Sequence, residues 1–257
     1  MKAVILAGGL GTRISEESHL RPKPMIEIGG NPLLWHIMQI YGHNGFDDFV
    51  VCLGYLGRVI KEYFIDYQMQ YSDLECDLGR GTIDFVNRRS PSWRVALVDT
   101  GEATMTGGRV KRVADRLRGG TFMLTYGDGL ANVDLRALLA FHRQHGRLAT
   151  VTAVRPPGRF GALDLGQGDR VEAFREKPDD ETGWINGGFF VLEPQVLDYI
   201  AGDATSFEAD PLRRLATEGQ LMAFKHHGFW QPVDTLYDKR RLEELWASDA
   251  APWRVWR

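Results

Sequence analysis

Short apolar runs and amphipathic stretches take turns along this chain, and the order of the two predicts its architecture. Lys2–Ala7 is a continuous apolar run, the pattern of a central strand buried on both faces. A glycine-rich loop follows and continues past Arg21-Pro22-Lys23-Pro24. Asn31-Pro32 then reads as an N-cap with proline at the first helical position. Leu33, Leu34, Ile37 and Met38 recur at helical spacing, and Gly42 or Gly45 is the expected stop. Residues 49–53 (Phe-Val-Val-Cys-Leu) predict a second buried strand, and Val59, Ile60, Tyr63 and Phe64 a second helix. Strand and helix in alternation predict a parallel sheet with helices on its faces.

Residues 66–98 break the alternation and read as a β-rich insertion. It resumes with a helix near 109–117, the strand Phe122–Tyr126, a helix over 135–143 and the strand Ala149–Val154. From Pro156 the periods shorten to a hairpin-like pattern over 161–165, Val171–Arg175 and 185–192. Asp210-Pro211 opens a helix, and 236–246 forms the last one. No internal repeat, low-complexity tract or long linker interrupts the chain, so the expectation is one α/β domain.

Composition narrows the class. The 257 residues carry 31 Lys+Arg against 34 Asp+Glu, a formal net charge of −3, which does not suit a dedicated nucleic-acid binder. No apolar run approaches the ~18 residues of a membrane span. The opening apolar run stops at Gly8-Gly9, with Arg13 soon after, so no secretory leader is expected. Cys52 and Cys76 are too few for a disulfide framework. The expected setting is cytoplasmic, with no nucleic-acid or membrane partner.

Two segments place unusual residues where ligands bind in an open parallel sheet, beyond the carboxyl ends of the strands. The first is Gly8-Gly9-Leu10-Gly11-Thr12-Arg13, directly after the first strand. Glycines let backbone N–H groups approach an anion, and Arg13 and Lys23 add fixed positive charge. The third glycine of a dinucleotide fingerprint is replaced by Ile14, and the Gly-Lys-Ser/Thr ending of a P-loop is missing. A tight turn with two solvated cations is the bland reading of the same residues. The second segment is Thr125-Tyr126-Gly127-Asp128-Gly129, where an aspartate leaves a strand between two glycines. Mg²⁺ prefers one or two carboxylates and fills its other positions with water and phosphate oxygens. Asp128 suits that role, and Asp234 is a candidate second ligand. Taken singly, Asp128 also reads as a turn-former and Asp234 as a helix N-cap.

Ala7 through Arg13, followed by Pro22-Lys23-Pro24-Met25, resembles the signature of the sugar-1-phosphate nucleotidyltransferases. Gly127-Asp128, Gly158-Arg159-Phe160-Gly161, Glu176-Lys177-Pro178, Ile185-Asn186-Gly187-Gly188-Phe189 and Trp230-Gln231-Pro232-Val233-Asp234-Thr235 are similar to the later motifs of that family, in the same order. The resemblance covers essentially the whole chain. It implies a Rossmann-like, mostly parallel sheet with helices on both faces, the fold of nucleotide-diphospho-sugar transferases. Residues 1–130 would form a nucleotide-binding half carrying insertion 66–98, and 131–257 a sugar-binding half with the C-terminal helix.

Thr104-Met105-Thr106-Gly107-Gly108-Arg109 and the insertion resemble the branch that joins CTP to glucose 1-phosphate; UTP and dTTP remain alternatives, as does a non-catalytic sugar-nucleotide sensor. The resemblance implies that Leu6, Ala7, Gly8, Gly9, Leu10, Gly11, Thr12 and Arg13 wrap the nucleotide, with Gly127 beside it. Arg13 and Lys23 would meet phosphates, and Thr104 and Arg109 would contribute to nucleotide recognition. Asp128 and Asp234 would hold Mg²⁺. Gly161, Glu176 and Asn186 would bind the sugar, and Lys177 its phosphate. A homo-oligomer is expected as well, and the CDP-sugar product implies a supply line to surface polysaccharide. The seven histidines form no catalytic-looking cluster, and His142 and His145 read as surface residues. The tryptophans at 246, 253 and 256 give the C-terminal tail enough apolar surface to pack on this domain or on a neighbour.

Overall fold

The computed structural model describes residues 1–9, 21–155, 162–165, 171–175 and 183–256. Strand β1 (Lys2–Ala7) leads to a single 3-10 turn at Lys23–Met25, the short ladder of β2 (Glu27–Ile28) with β3 (Asn31–Pro32), and helix α1 (Leu33–His43). Next come β4 (Asp48–Leu53), α2 (Gly57–Gln70), the β5 (Asp73–Asp77) and β6 (Thr82–Val86) hairpin, and β7 (Arg94–Asp99). Helices α3 (Thr106–Arg112) and α4 (Ala114–Leu117) precede β8 (Phe122–Tyr126), β9 (Gly129–Ala131), α5 (Leu135–His145) and β10 (Ala149–Val154). The second half adds the antiparallel pair β11 (Ala162–Leu165) and β12 (Val171–Arg175), then β13 (Ile185–Asn186) and β14 (Phe190–Leu192). A 3-10 segment (Pro194–Tyr199), α6 (Asp210–Thr217), β15 (Leu221–Lys225), β16 (Trp230–Pro232) and α7 (Leu236–Ala247) complete it.

The main sheet is mostly parallel. β1 pairs in parallel with β4 and β8, and β4 with β7. β14 runs antiparallel to β8 and to β10, and β15 lies parallel to β10 on its other side. β13 and β14 pair with opposite ends of β10, so they act as one reversed strand broken at Gly187-Gly188-Phe189. Alternate residues of β1 enter two separate cores: Ala3, Ile5 and Ala7 one, Val4 and Leu6 the other. The first is closed by α1, α5 and α7 through Leu34, Ile37, Leu138 and Leu242, the second by α3, α4 and α6 through Val110, Leu117 and Leu215. Helices therefore cover both faces, as alternating two-faced strands require. Local chemistry sets the helix ends where it can. The Asp134 carboxylate caps α5 by accepting from the N–H groups of Arg136 and Ala137, and Gly146 ends it at φ 62°.

Three sequence expectations change, and one left open between two readings is resolved. Asn31-Pro32 is not a helix cap but half of the β2–β3 ladder, and α1 starts without a side-chain cap. Insertion 66–98 is smaller than its composition suggests: α2 runs to Gln70, and β7 is the parallel edge strand of the main sheet. Only the β5–β6 hairpin and its flanks lie outside the α/β pattern. His142 is a core residue, 2% exposed, between Thr150 and Glu193, and His145 shares the Thr150 hydroxyl with it. The C-terminal tail packs on its own domain. Trp253 is fully buried, stacked on Phe229 and Trp246, and its indole N–H donates to His36 Nδ1. Among the described residues, no helix is long and apolar enough to cross a membrane.

Candidate active site

The parallel strands β1, β4, β7 and β8 end along one sheet edge, and a cleft of about 740 Å³ opens there. Its walls include residues 6–9 after β1, Lys23 and Pro24, residues 102–106 after β7, residues 126–128 after β8, and Asn186, Trp230 and Asp234.

Three charged side chains meet at its floor. The Lys23 ammonium donates to Asp128 Oδ2 and to Asp234 Oδ1, each at 2.7 Å. The lysine side chain is 9% exposed, Asp234 13% and Asp128 32%. Each is held by its backbone. Pro22 and Pro24 fix φ on either side of Lys23, and the turn closes through Met25 N–H to Pro22 carbonyl at 2.7 Å. Gly127 lets that turn approach β8, because a Cβ there would lie 2.8 Å from Pro24 Cγ and 2.9 Å from the Leu6 carbonyl oxygen. Asp128 and Asp234 are brought together by the β9–β16 ladder. Gly129 pairs with Pro232, and Val233 N–H donates to the Asp128 carbonyl at 2.9 Å. The first residue beyond the ladder is then Asp234. Its N–H and that of Thr235 donate to Asp238, and Thr235 and Asp238 form the capping box of α7. The helix cap is therefore Thr235, which leaves the Asp234 carboxylate to the cleft.

Arg109 is a buried cation bonded to the backbone of the cleft loops. It is 4% exposed, and its guanidinium donates to the carbonyls of Leu53, Gly101, Gly8 and Glu102 and to the Thr100 hydroxyl, at 2.7–3.1 Å. It packs against two glycines, since a Cβ on Gly8 or Gly54 would fall within 2.5 Å of it. The loops after β1, β4 and β7 are tied together this way, with Thr104 buried beside them in the cleft wall. Asn186 reaches the opposite wall, donating from Nδ2 to the Tyr126 hydroxyl and accepting from Gly188 N–H.

Of the sequence-derived site residues, Leu6, Ala7, Gly8, Gly9, Lys23, Thr104, Arg109, Gly127, Asp128, Asn186 and Asp234 line one cleft. Leu10, Gly11, Thr12, Arg13, Gly161, Glu176 and Lys177 lie outside the described residues. The sequence reading passed over Glu208 and Trp230, which also line it. Trp230 sat inside a quoted motif. Glu208 belongs to no motif, and only its place in the fold reveals it.

A nucleotide-sized cleft at the carboxyl edge of a mostly parallel sheet, with paired carboxylates beside a lysine, is the equipment of a phosphate-transferring enzyme. The model of the nucleotidyl transferase family matches residues 2–238, and the chain belongs to that family. More particularly, it is 54% identical over 257 residues to the glucose-1-phosphate cytidylyltransferases of Salmonella typhi and Salmonella typhimurium (strain LT2), covering 100% of both chains in each case. Among solved structures it resembles HddC from Yersinia pseudotuberculosis, at a TM-score of 0.69 and 25% identity, covering 95% of this chain and 99% of that one.

Members of the family generally use a divalent metal. The donor set fits one. Asp128 and Asp234 offer oxygen only, converge on a single cation, and leave other positions for water and phosphate, as a hard ion requires. Among the described residues, no group of three or more His, Cys, Asp and Glu is placed to cage a metal.

Proposed function

We propose that this chain transfers a cytidylyl group from CTP to α-D-glucose 1-phosphate, giving CDP-glucose and pyrophosphate. The observation that carries the reading is the 54% identity, end to end, with the Salmonella cytidylyltransferases. The cleft chemistry supports it. A phosphate monoester has its second pKa near 6, so the attacking oxygen is ionised at neutral pH and needs no general base. The obstacle is repulsion between two polyanions, which fixed cations and positioning overcome.

In this reading residues 6–13 and Gly127 surround the nucleotide, and Thr104 contributes to recognition of the base. Arg109 acts on the nucleotide indirectly, by holding the backbone of Gly8 and Glu102 in place. Arg13 and Lys23 meet the phosphates, while Gly161, Glu176 and Asn186 hold the sugar and Lys177 its phosphate. Mg²⁺ on Asp128 and Asp234, when bound, supplies charge neutralisation at the phosphate oxygens. Lys23, held between the same carboxylates, keeps its ammonium at the reacting centre. Transfer is a single in-line displacement with no covalent enzyme intermediate. Residues 1–130 serve the nucleotide and 131–257 the sugar.

The same reading includes self-association and a cytoplasmic setting. Leu74, Cys76, Ile83 and Phe85 share one face of the β5–β6 hairpin, opposite Asp73, Glu75, Asp77 and Asp84. Leu74, Leu78 and Ile83 are exposed, with Ile65 and Met69 exposed on the adjoining α2. A two-stranded hairpin is marginal alone, and a second copy covering this face would complete it. Both cysteines are free thiols, which suits a reducing compartment.

The test is pyrophosphate release across the four nucleoside triphosphates, each with glucose 1-phosphate and with other sugar 1-phosphates. Preference for CTP with glucose 1-phosphate is expected. Preference for UTP or dTTP would overturn the base assignment, and silence with every pair would overturn catalysis in favour of a sensor. Light scattering after size exclusion is expected to give a mass above one subunit, lowered in Ile83→Asp. A monomeric wild type would refute the self-association.

A further inference from the structure

Glu208 reaches the cleft from the segment ahead of α6 and is held at both carboxylate oxygens. Oε2 accepts from the hydroxyls of Thr106 (2.6 Å) and Ser206 (2.7 Å), and Oε1 from that of Tyr126 (2.7 Å). Burial alone would raise this carboxyl, but the three hydroxyl donors outweigh it and hold it below its ordinary value, so it is ionised at working pH. A tyrosine hydroxyl has one proton to give and lone pairs to accept with. An ionised carboxylate only accepts, which fixes the direction of every bond behind it. Tyr126 must give its proton to Glu208, and its oxygen is left to accept from Asn186 Nδ2 at 3.1 Å. Gly188 N–H donates to Asn186 Oδ1 at 2.8 Å, so the amide is clamped at both ends and cannot flip.

We propose that Glu208 is a positioning residue for the sugar substrate: through the Tyr126 hydroxyl it fixes the orientation in which the Asn186 amide meets a sugar hydroxyl. The inference rests on the proposed function, which puts Asn186 against the sugar. It extends that reading to two residues that the sequence motifs do not single out. Glutamine at 208 would keep the shape but remove the charge, and its amide nitrogen would donate at an end where the carboxylate only accepts.

Steady-state kinetics of the full chain with Mg²⁺ test this on Glu208→Gln, Tyr126→Phe and the double variant. Each single change is expected to raise KM for glucose 1-phosphate roughly tenfold, the worth of one hydrogen bond to a charged group. KM for CTP should stay within about threefold of wild type, and the double variant should be no worse than either single one, because both cut the same chain. Additive effects, equal rises in both KM values, or an unmoved glucose 1-phosphate KM would overturn the proposal. Calorimetric titration with glucose 1-phosphate carries the same comparison without turnover. An inactive wild type would count against the proposed function, whereas an active wild type with an unmoved KM in Glu208→Gln would count against this inference alone.

Discussion

Removing the Lys23 ammonium should turn the cleft floor from an attractive arrangement into a repulsive one. In Lys23→Met the side-chain stem is replaced at similar volume, but Asp128 and Asp234, each one 2.7 Å hydrogen bond from the same nitrogen, lose the ammonium they share. Two unit charges ~4.5 Å apart repel by about 4 kcal/mol at an effective dielectric constant of about 20. Asp128 is about a third exposed, so water screens part of this, and a net loss of about 2 kcal/mol is expected. For a chain of this size that lowers Tm by about 4–8 °C. Two features separate the electrostatic cause from a packing defect. The loss should shrink when millimolar MgCl2 is added, and the variant should gain more Tm from the salt than wild type does. Lys23→Met combined with Asp128→Asn should recover most of the loss, because a single carboxylate has nothing to repel. Thermal and urea denaturation, with and without MgCl2, read both. A variant as stable as wild type, or one whose loss ignores Mg²⁺ and the second substitution, would exclude charge repulsion as the cause.

Asp128→Asn and Asp234→Asn should each lower kcat at least ~100-fold, within the range for removing one electrostatic contact to the reacting charges, while far-UV circular dichroism stays unchanged. Near-normal turnover with Mg²⁺ in either variant would remove that residue from the metal site. His36 should make stability depend on pH. Burial drives its pKa from 6.5 down to about 4, against the opposing effect of its hydrogen bonds to the Ile28 and Asn31 backbone. A folded-state value below the unfolded one means the unfolded chain takes up the proton first. Stability is therefore full above pH 6.5 and falls by about 3 kcal/mol on the way to pH 4. His36→Phe should flatten that part of the curve in chemical denaturation, and an unchanged slope would show that other groups cause it. Trp253→Ala should cost about 3–5 kcal/mol, as truncating a fully buried tryptophan does, and a loss below 1 kcal/mol would show that the tail is not part of the core.

Much of this molecule is legible from its apolar pattern, because the central strands are buried on both faces and read as unbroken runs. β1, β8 and β10 fall where the sequence puts them, and β4 and the helices that cover the sheet fall within a few residues of expectation. The exceptions share a cause. β7 is an edge strand with half-buried residues between exposed Arg94 and Asp99, so it hid inside a mixed stretch. β9 and β16 have three residues each, too short for any period to show, yet their pairing is what brings Asp128 to Asp234 across the chain. The sequence could nominate both aspartates from motifs, but their meeting is a property of the ladder. His142 misled because a histidine on a helix near polar neighbours looks solvated. Only the fold shows Thr150 and Glu193 closing over it. For Arg109 the motif suggests a role at the nucleotide, and only the fold shows its guanidinium bonded to the backbone of the cleft loops.

The way Arg109 makes its bonds bears on how this cleft can vary between relatives. It grips carbonyl oxygens at Gly8, Leu53, Gly101 and Glu102, and every residue type carries one of those. The side chain at 102 is therefore free to change without loosening the loops. Positions 8 and 54 have no such freedom, because the guanidinium occupies the space a Cβ would need. A saturation library should show that contrast, with 8, 54 and 109 nearly invariant among active clones and 102 broadly permissive. New preferences for base or sugar can then arise by exchanging exposed wall residues one at a time, on a scaffold whose backbone is pinned from beneath.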